Sequence, residues 1–171
     1  FDFPVGDDNF IANFGISAPS ADTDEFTARY FRVNPANDGF NPFSIGSGIY
    51  NVSLVEYWQI DRPVGSSSVT LSASYEDTRS AGATIEADLR IVHWSGTQWE
   101  TEGNSGSSAN FTGIVSDNPV STFSPFTLGN VNFTNPNPNP LPVSLLSFDA
   151  KRMEEAVQLD WTTASEENSD Y

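Results

Sequence analysis

Cysteine is absent from all 171 residues. That removes disulfides, thiolate metal sites and cysteine nucleophiles, and it leaves the redox compartment open. Histidine occurs once, at His93. A histidine-based triad needs a nucleophile and an orienting acid converging on the imidazole, and no Gly-x-Ser-x-Gly elbow is present. His93 lies between Val92 and Trp94 and reads as a strand residue at a sheet surface. Basic residues are scarce, 7 against 23 acidic, for a formal net charge of -16. A chain this acidic repels nucleic-acid phosphates and anionic lipid headgroups, so neither is expected as a partner. No stretch reaches the roughly 18 apolar residues of a membrane helix, so no membrane insertion is expected. No signal peptide is visible, yet Phe1 already stands in the apolar run "FDFPV", so the natural start is expected upstream.

Apolar residues make up 37% and aromatics 13% of the chain, enough to build a packed core. Short runs rich in Val, Ile, Phe, Tyr, Trp and Thr recur: "FIANFGIS", "EFTARYFRV", "NVSLVEYWQI", "SVTLSASY", "DLRIVHWSG", "NFTGIV" and "STFSPFTLG". In "SVTLSASY", Val69, Leu71, Ala73 and Tyr75 share one face and small hydroxyl residues the other, the pattern of an antiparallel sheet with one buried face. Turn-rich spacers such as "NPANDGFNP", "RPVGSSS" and "EGNSGSS" separate the runs. The expected fold is all-β, an antiparallel β-sandwich over residues 1–134. "EDTRSAGATIEADL" has some helical flavour, but Gly82 interrupts it, and it reads as a long loop with one turn. "WSGTQW" is a hairpin candidate whose Trp94 and Trp99 meet across the strands.

Residues 135–142 carry alternating prolines. Each proline fixes its own φ and holds its predecessor extended, which predicts a semi-rigid linker and a boundary. In residues 143–171 two further strands are expected, with Leu146, Phe148 and Ala150 on one face of the first and Val157, Leu159 and Trp161 on one face of the second. Two strands cannot bury a core by themselves. The apolar residues Leu146, Phe148 and Trp161 are therefore expected to lie against the first domain or a neighbouring chain.

The segment "LPVSLLSFDAKRMEEAVQLDWTTASEENSDY" resembles one common near the C-terminal ends of secreted and cell-surface proteins of Bacteroidetes, where it opens a fibronectin type III-like domain. The preceding residues resemble the module that often stands before it, through "FDFPVGDDNF", "EFTARYFRV", "VEYWQIDRP", "SYEDTRSAGATIEADLRIVHWSGTQWE" and "STFSPFTLGN". The likeness spans nearly the whole chain. It implies a sandwich, a linker and the first two strands of a truncated fibronectin type III-like domain, with Trp161 as that fold's core tryptophan. It also implies an extracellular or outer-surface location and export by the type IX secretion system, whose machinery would read a sorting domain not contained in these residues. The module it resembles is an accessory, stalk-like or adhesin part with no catalytic role. The closing loops here are poorer in Gly-Gly and richer in Asn-Pro, so loop function does not transfer.

Three kinds of site chemistry are conceivable. Calcium takes carboxylate and carbonyl oxygens from loops. The candidates are Asp7 and Asp8, then Asp22, Asp24 and Glu25, then Asn37 and Asp38. None has a fixed ligand spacing, and Asp and Asn also favour turns for local reasons. Carbohydrate binding would use Trp94 and Trp99, or Tyr30 and Phe31, as stacking platforms; the competing reading of the tryptophans is core packing. Glycoside hydrolysis would need two carboxyl groups at a set separation, with Glu56, Glu76, Asp77, Glu86 and Asp88 as candidates. Glu56, beside Tyr57 and Trp58, is the best placed for a raised pKa. The expectation drawn from all this is a non-catalytic spacer with no required cofactor, calcium excepted. Its partners would be other domains of the same polypeptide and, through strand exchange, neighbouring copies. The alternative is a carbohydrate-binding accessory module of a secreted polysaccharide-degrading enzyme.

Overall fold

The structure, a computed structural model, describes residues 1–123, 125–131, 145–153 and 157–163. It divides into two units, Phe1–Leu141 and Pro142–Tyr171. The strands of the first unit are β1 (Asp2–Phe3), β2 (Phe14–Ile16), β3 (Glu25–Phe31), β4 (Asn51–Val52), β5 (Tyr57–Val64), β6 (Leu71–Ser74), β7 (Leu89–Trp94), β8 (Trp99–Gly103), β9 (Gly106–Ser107), β10 (Gly113–Val115) and β11 (Phe126–Asn130). One sheet runs β1-β2-β6-β10-β9 and the other β3-β5-β11-β7-β8, with β4 also paired to β11. Neighbouring strands in both sheets are antiparallel.

The two sheets close on one core. Phe14, Ile16, Leu71, Ala73 and Ile114 enter from the first sheet, and Trp58, Ile60, Leu89, Ile91, Phe126 and Leu128 from the second. Phe14 bridges the layers, its ring centroid 5.8 Å from both Trp58 and Phe126. This is an antiparallel β-sandwich. The alternation in β6 is kept in part: Leu71 and Ala73 are buried and Ser72 is half-buried on the opposite face, but Ser74 on that face is buried too, where it accepts from Arg79.

A second, smaller cluster lies on the other face of the second sheet. Ile49, Val52, Val92 and Trp99 are buried there, with Phe40, Ile45 and Trp94 packed against them. The spacer after β3 supplies its cover. Asn34 accepts a hydrogen bond from the Ala36 amide, Pro35 begins a 3-10 turn over Pro35–Asp38, and Gly39, with φ 92°, ends it in the left-handed region. Phe40 then sets its edge against Tyr57, Trp94 and Trp99. Ile45 pairs with Trp99, and backbone bonds from Trp99 to Ser44 and from Gly46 to Trp99 cover that part of the β8 edge. So β7 is apolar on both faces because both are packed.

The run "NVSLVEYWQI" forms two strands, β4 and β5, both alongside β11. Residues 53–56 bulge between them. The Ser53 amide donates to the Leu128 carbonyl at 2.8 Å, the Ser53 hydroxyl accepts from the Val55 amide, and the Thr127 hydroxyl donates to the Glu56 carbonyl at 2.6 Å. A bulge of this kind re-aims one side chain, here Glu56. The stretch with helical flavour is a loop whose one helical feature is a 3-10 turn at Glu86–Asp88. Among the described residues no helix is long and apolar enough to cross a membrane.

In the second unit, β12 (Leu145–Arg152) and β13 (Val157–Thr163) form an antiparallel hairpin. Phe148 stands opposite Trp161 and Ala150 opposite Leu159 in the ladder. Phe148, Val157 and Leu159 are exposed. The side chains of Leu146 and Trp161, and the Asn-Pro linker, lie outside the described residues.

Candidate functional site

Two polar constellations stand out in the first unit. The deeper joins the β4–β5 bulge to the loop after β6. Arg79 and Glu56 are both fully buried and form an ion pair through Nη1 and Oε2. Arg79 Nη2 also donates to the Ser74 carbonyl at 2.9 Å and the Ser74 hydroxyl at 3.1 Å. The Tyr30 hydroxyl donates to Glu56 Oε2 at 2.9 Å. The guanidinium lies 5.5 Å from the Trp58 ring centroid and 5.6 Å from that of Tyr30, within cation–π range. Burial pushes the Glu56 carboxyl up, against the opposing pull of the Arg79 guanidinium. Burial and the Glu56 charge push the Tyr30 phenol up. Arg79 belongs to a loop containing Ala81 at φ 54° and Gly82 at φ 90°, and Ser80 and Ala83 beside it are fully buried. The ion pair therefore anchors a loop of awkward backbone to the core. Glu56 is enclosed and paired with Arg79, while Glu76 and Asp77 are exposed. Glu86 accepts from the Tyr75 and Ser107 hydroxyls.

The second constellation lies at the β7–β8 hairpin. His93 points into the sandwich side, where its ring stacks on Phe126 at 4.6 Å. It is buried, not at the sheet surface as its sequence setting suggested. Its Nδ1 faces Glu102 Oε1 at 3.5 Å, and Glu102 is the extra residue at the irregular step in the β7–β8 pairing. A cleft of about 510 Å³ opens beside it, lined by Phe40, His93, Trp94, Glu100, Glu102 and Phe123 among others.

The sequence candidates for stacking are differently placed. Trp94 and Trp99 are paired across the hairpin, but they meet edge to face at 5.5 Å and Trp99 is fully buried. The pair is therefore one wall of the smaller core, not a flat platform, because the Pro35–Asp38 turn lays Phe40 and its neighbours over it. Tyr30 packs on Trp58, and Phe31 stacks on Tyr57 at 4.7 Å.

The calcium candidates are dispersed. Asp7 accepts from the Asn9 and Phe10 amides in a local turn and stands 3.9 Å from Arg32. Asp8 and Asp22 are exposed. Asp38 accepts the Tyr57 hydroxyl at 2.8 Å. Asp24 accepts the Ser66 and Ser67 amides across the β5–β6 connection. Among the described residues no three His, Asp or Glu side chains come together as a metal site. The aspartates hold turns and junctions, the ordinary use of their short oxygen-bearing side chains.

Asp24 gives a pH prediction. The Ser67 hydroxyl and amide, with the Ser66 amide, hold its carboxyl below the usual carboxylate range. A depressed native pKa means a stabilising contribution that is present above the unfolded value and lost as pH falls through the native one. Asp24→Asn is therefore expected to lower the melting temperature at neutral pH. The gap to the parent chain should narrow as pH falls below the ordinary carboxylate range, measured by thermal melts across an acid series. A gap that stays constant across the series would refute the assignment.

Comparison of the chain with protein-family models, with curated proteins and with solved structures yields no match.

Proposed function

We propose that the chain is a non-catalytic structural module, a spacer in a secreted or surface-displayed bacterial protein. The observation that carries this reading is the Glu56–Arg79 pair: among the described residues the ion pair with both side chains fully buried is sealed in the core and ties a loop down. The topology also suits load. The first strand lies at the edge of one sheet, and β11 lies inside the other, paired to β7 on one side and to β4 and β5 on the other. Tension between those points must pass through the shared core.

In this reading the hairpin of the second unit begins a fibronectin type III-like domain, as the sequence resemblance implies, after an Asn-Pro spacer. The module belongs to an adhesin, stalk or filament component exported as type IX secretion cargo. Its partners are the neighbouring domains of its own polypeptide, adjacent copies through strand exchange, and a secretion machinery that reads a sorting domain elsewhere. The carbohydrate-binding alternative loses its main support with the burial of Trp99.

Single-molecule pulling on the full chain, with handles at its two ends, tests the reading. One abrupt, cooperative extension of the first unit is expected, preceded by peeling of the two-residue strand β1. Gradual lengthening at low force with no rupture event would overturn it, since such a module could not hold a spacing.

A further inference from the structure

The second sheet of the first unit has one long open edge. β3 ends that sheet, and its seven residues pair with β5 on one side only. The edge strand at the other end, β8, is partly covered by Ser44–Gly46, and the edge strands of the first sheet, β1 and β9, have two residues each. An open row of backbone N–H and C=O groups is a template for another strand. Along β3, Phe26, Ala28 and Tyr30 are half-buried on the core side, while Glu25, Thr27 and Arg29 are exposed. Among the described residues the arginine ion pairs use Arg32 and Arg79, and Arg29 takes part in none. Beside the start of β3 a groove of about 790 Å³ lies between Phe1 and Phe3 of one sheet and Phe26 of the other, with Asp2, Asp22 and Asp24 around it.

β12 is the complement of this edge. It has eight residues and pairs with β13 on one side only. Its Asp149 stands directly opposite Asp160, a like-charge pair that is destabilising without a countercharge. Phe148 is exposed, and so are Lys151 and Arg152, the one adjacent basic pair in a chain of net charge -16. We propose that β12 of one copy adds to the open edge of β3 of a second copy as an antiparallel strand, with Asp149 opposite Arg29. That register sets Phe148 beside Tyr30 and Ala150 beside Ala28 on the core side. Lys151 falls beside Thr27, next to Glu25. Arg152 falls beside Phe26, its stem on the aromatic groove and its head among the aspartates there. A parallel strand would instead bring Arg152 beside Arg32, and a slip of one residue would turn Asp149 to the core side. The contact uses only the outer edge of β12, so β13 stays free to pair with further strands. It deepens the spacer reading, on which it rests: copies joined in this way extend the spacing that one of them holds.

Sedimentation of the full chain over a concentration series tests the contact. At about 0.15 M salt the repulsion between acidic chains is screened beyond about 8 Å, whereas a pair in contact is screened far less. The parent is expected to associate as concentration rises, in a closed pair or an open series. Arg29→Asp and Asp149→Arg, each alone, set like charges opposite one another and should weaken association about fivefold or more. Mixed in equal amounts, the two variants should recover parental association, because every contact between unlike chains then joins opposite charges. Both positions are exposed, so each variant should keep the parental circular dichroism. A parent that stays monomeric at every concentration, single variants that associate as the parent does, or a mixture no better than its components would overturn the proposal. Pulling acts on single chains, so rupture without association removes this contact and leaves the spacer reading, and association without rupture does the reverse.

Discussion

Arg79→Ala is expected to destabilise the first unit by about 3–5 kcal/mol, because removing one partner of a buried ion pair strands the other charge. Glu56 would keep only hydroxyl donors, Tyr30 and Ser80, in a fully buried position. The Ser74 carbonyl would also lose the guanidinium, and the loop carrying Ala81 at positive φ would lose its anchor. Urea unfolding followed by tryptophan fluorescence measures the change. Glu56→Gln, which keeps shape and removes charge, should fall between Arg79→Ala and the parent. Replacing both partners together, Glu56→Leu with Arg79→Met, should recover much of the loss, since well-packed apolar residues often match a buried pair. A loss below about 1 kcal/mol for Arg79→Ala would show that water reaches the pair and would remove its role as an anchor.

Trp58→Ala should be of similar size, about 3–5 kcal/mol, the range for deleting a large buried aromatic. The Trp58 ring is fully buried, 5.8 Å from Phe14 and 5.5 Å from Tyr30, and its indole donates to the Ala12 carbonyl at 2.8 Å. It therefore joins both sheets and the segment before β2. Trp58→Phe keeps part of the packing but leaves the Ala12 carbonyl without this donor, so an intermediate loss is expected in denaturant melts. Since Arg79 lies over the same ring, the two losses should not add. A double-mutant cycle is expected to show coupling of about 0.5–1.5 kcal/mol, and strict additivity would exclude a direct contact.

The architecture of the first unit was largely legible. Alternation in "SVTLSASY" marks a strand with one buried face, and the hairpin at "WSGTQW" forms with Trp94 opposite Trp99. The bulge at residues 53–56 was not legible, because "NVSLVEYWQI" reads as one continuous strand-like run and no local signal says where the ladder breaks. The cover over Trp99 was missed for a related reason. "NPANDGFNP" carries every mark of a turn, and its job of holding Phe40 over a second apolar face depends on Trp94 of β7 and Trp99 of β8, far along the chain. Glu56 could be singled out by its aromatic neighbours, but not its partner: Arg79 is 23 positions away in a loop. Glu102 gave no sign of its place beside His93, because that follows from an irregularity in strand pairing.

What the amino-acid order determined unaided was the all-β class, most of the longer strands, the apolar face of β6 and the chain's acidic, cysteine-free character. These follow from periodicity and composition, which act over a few residues and need no knowledge of neighbours. What only the closed sandwich decided was which ionisable groups meet. Glu56 finds Arg79, His93 finds Glu102, and the calcium candidates stay apart, because such meetings depend on the pairing of distant strands and on the water that pairing excludes.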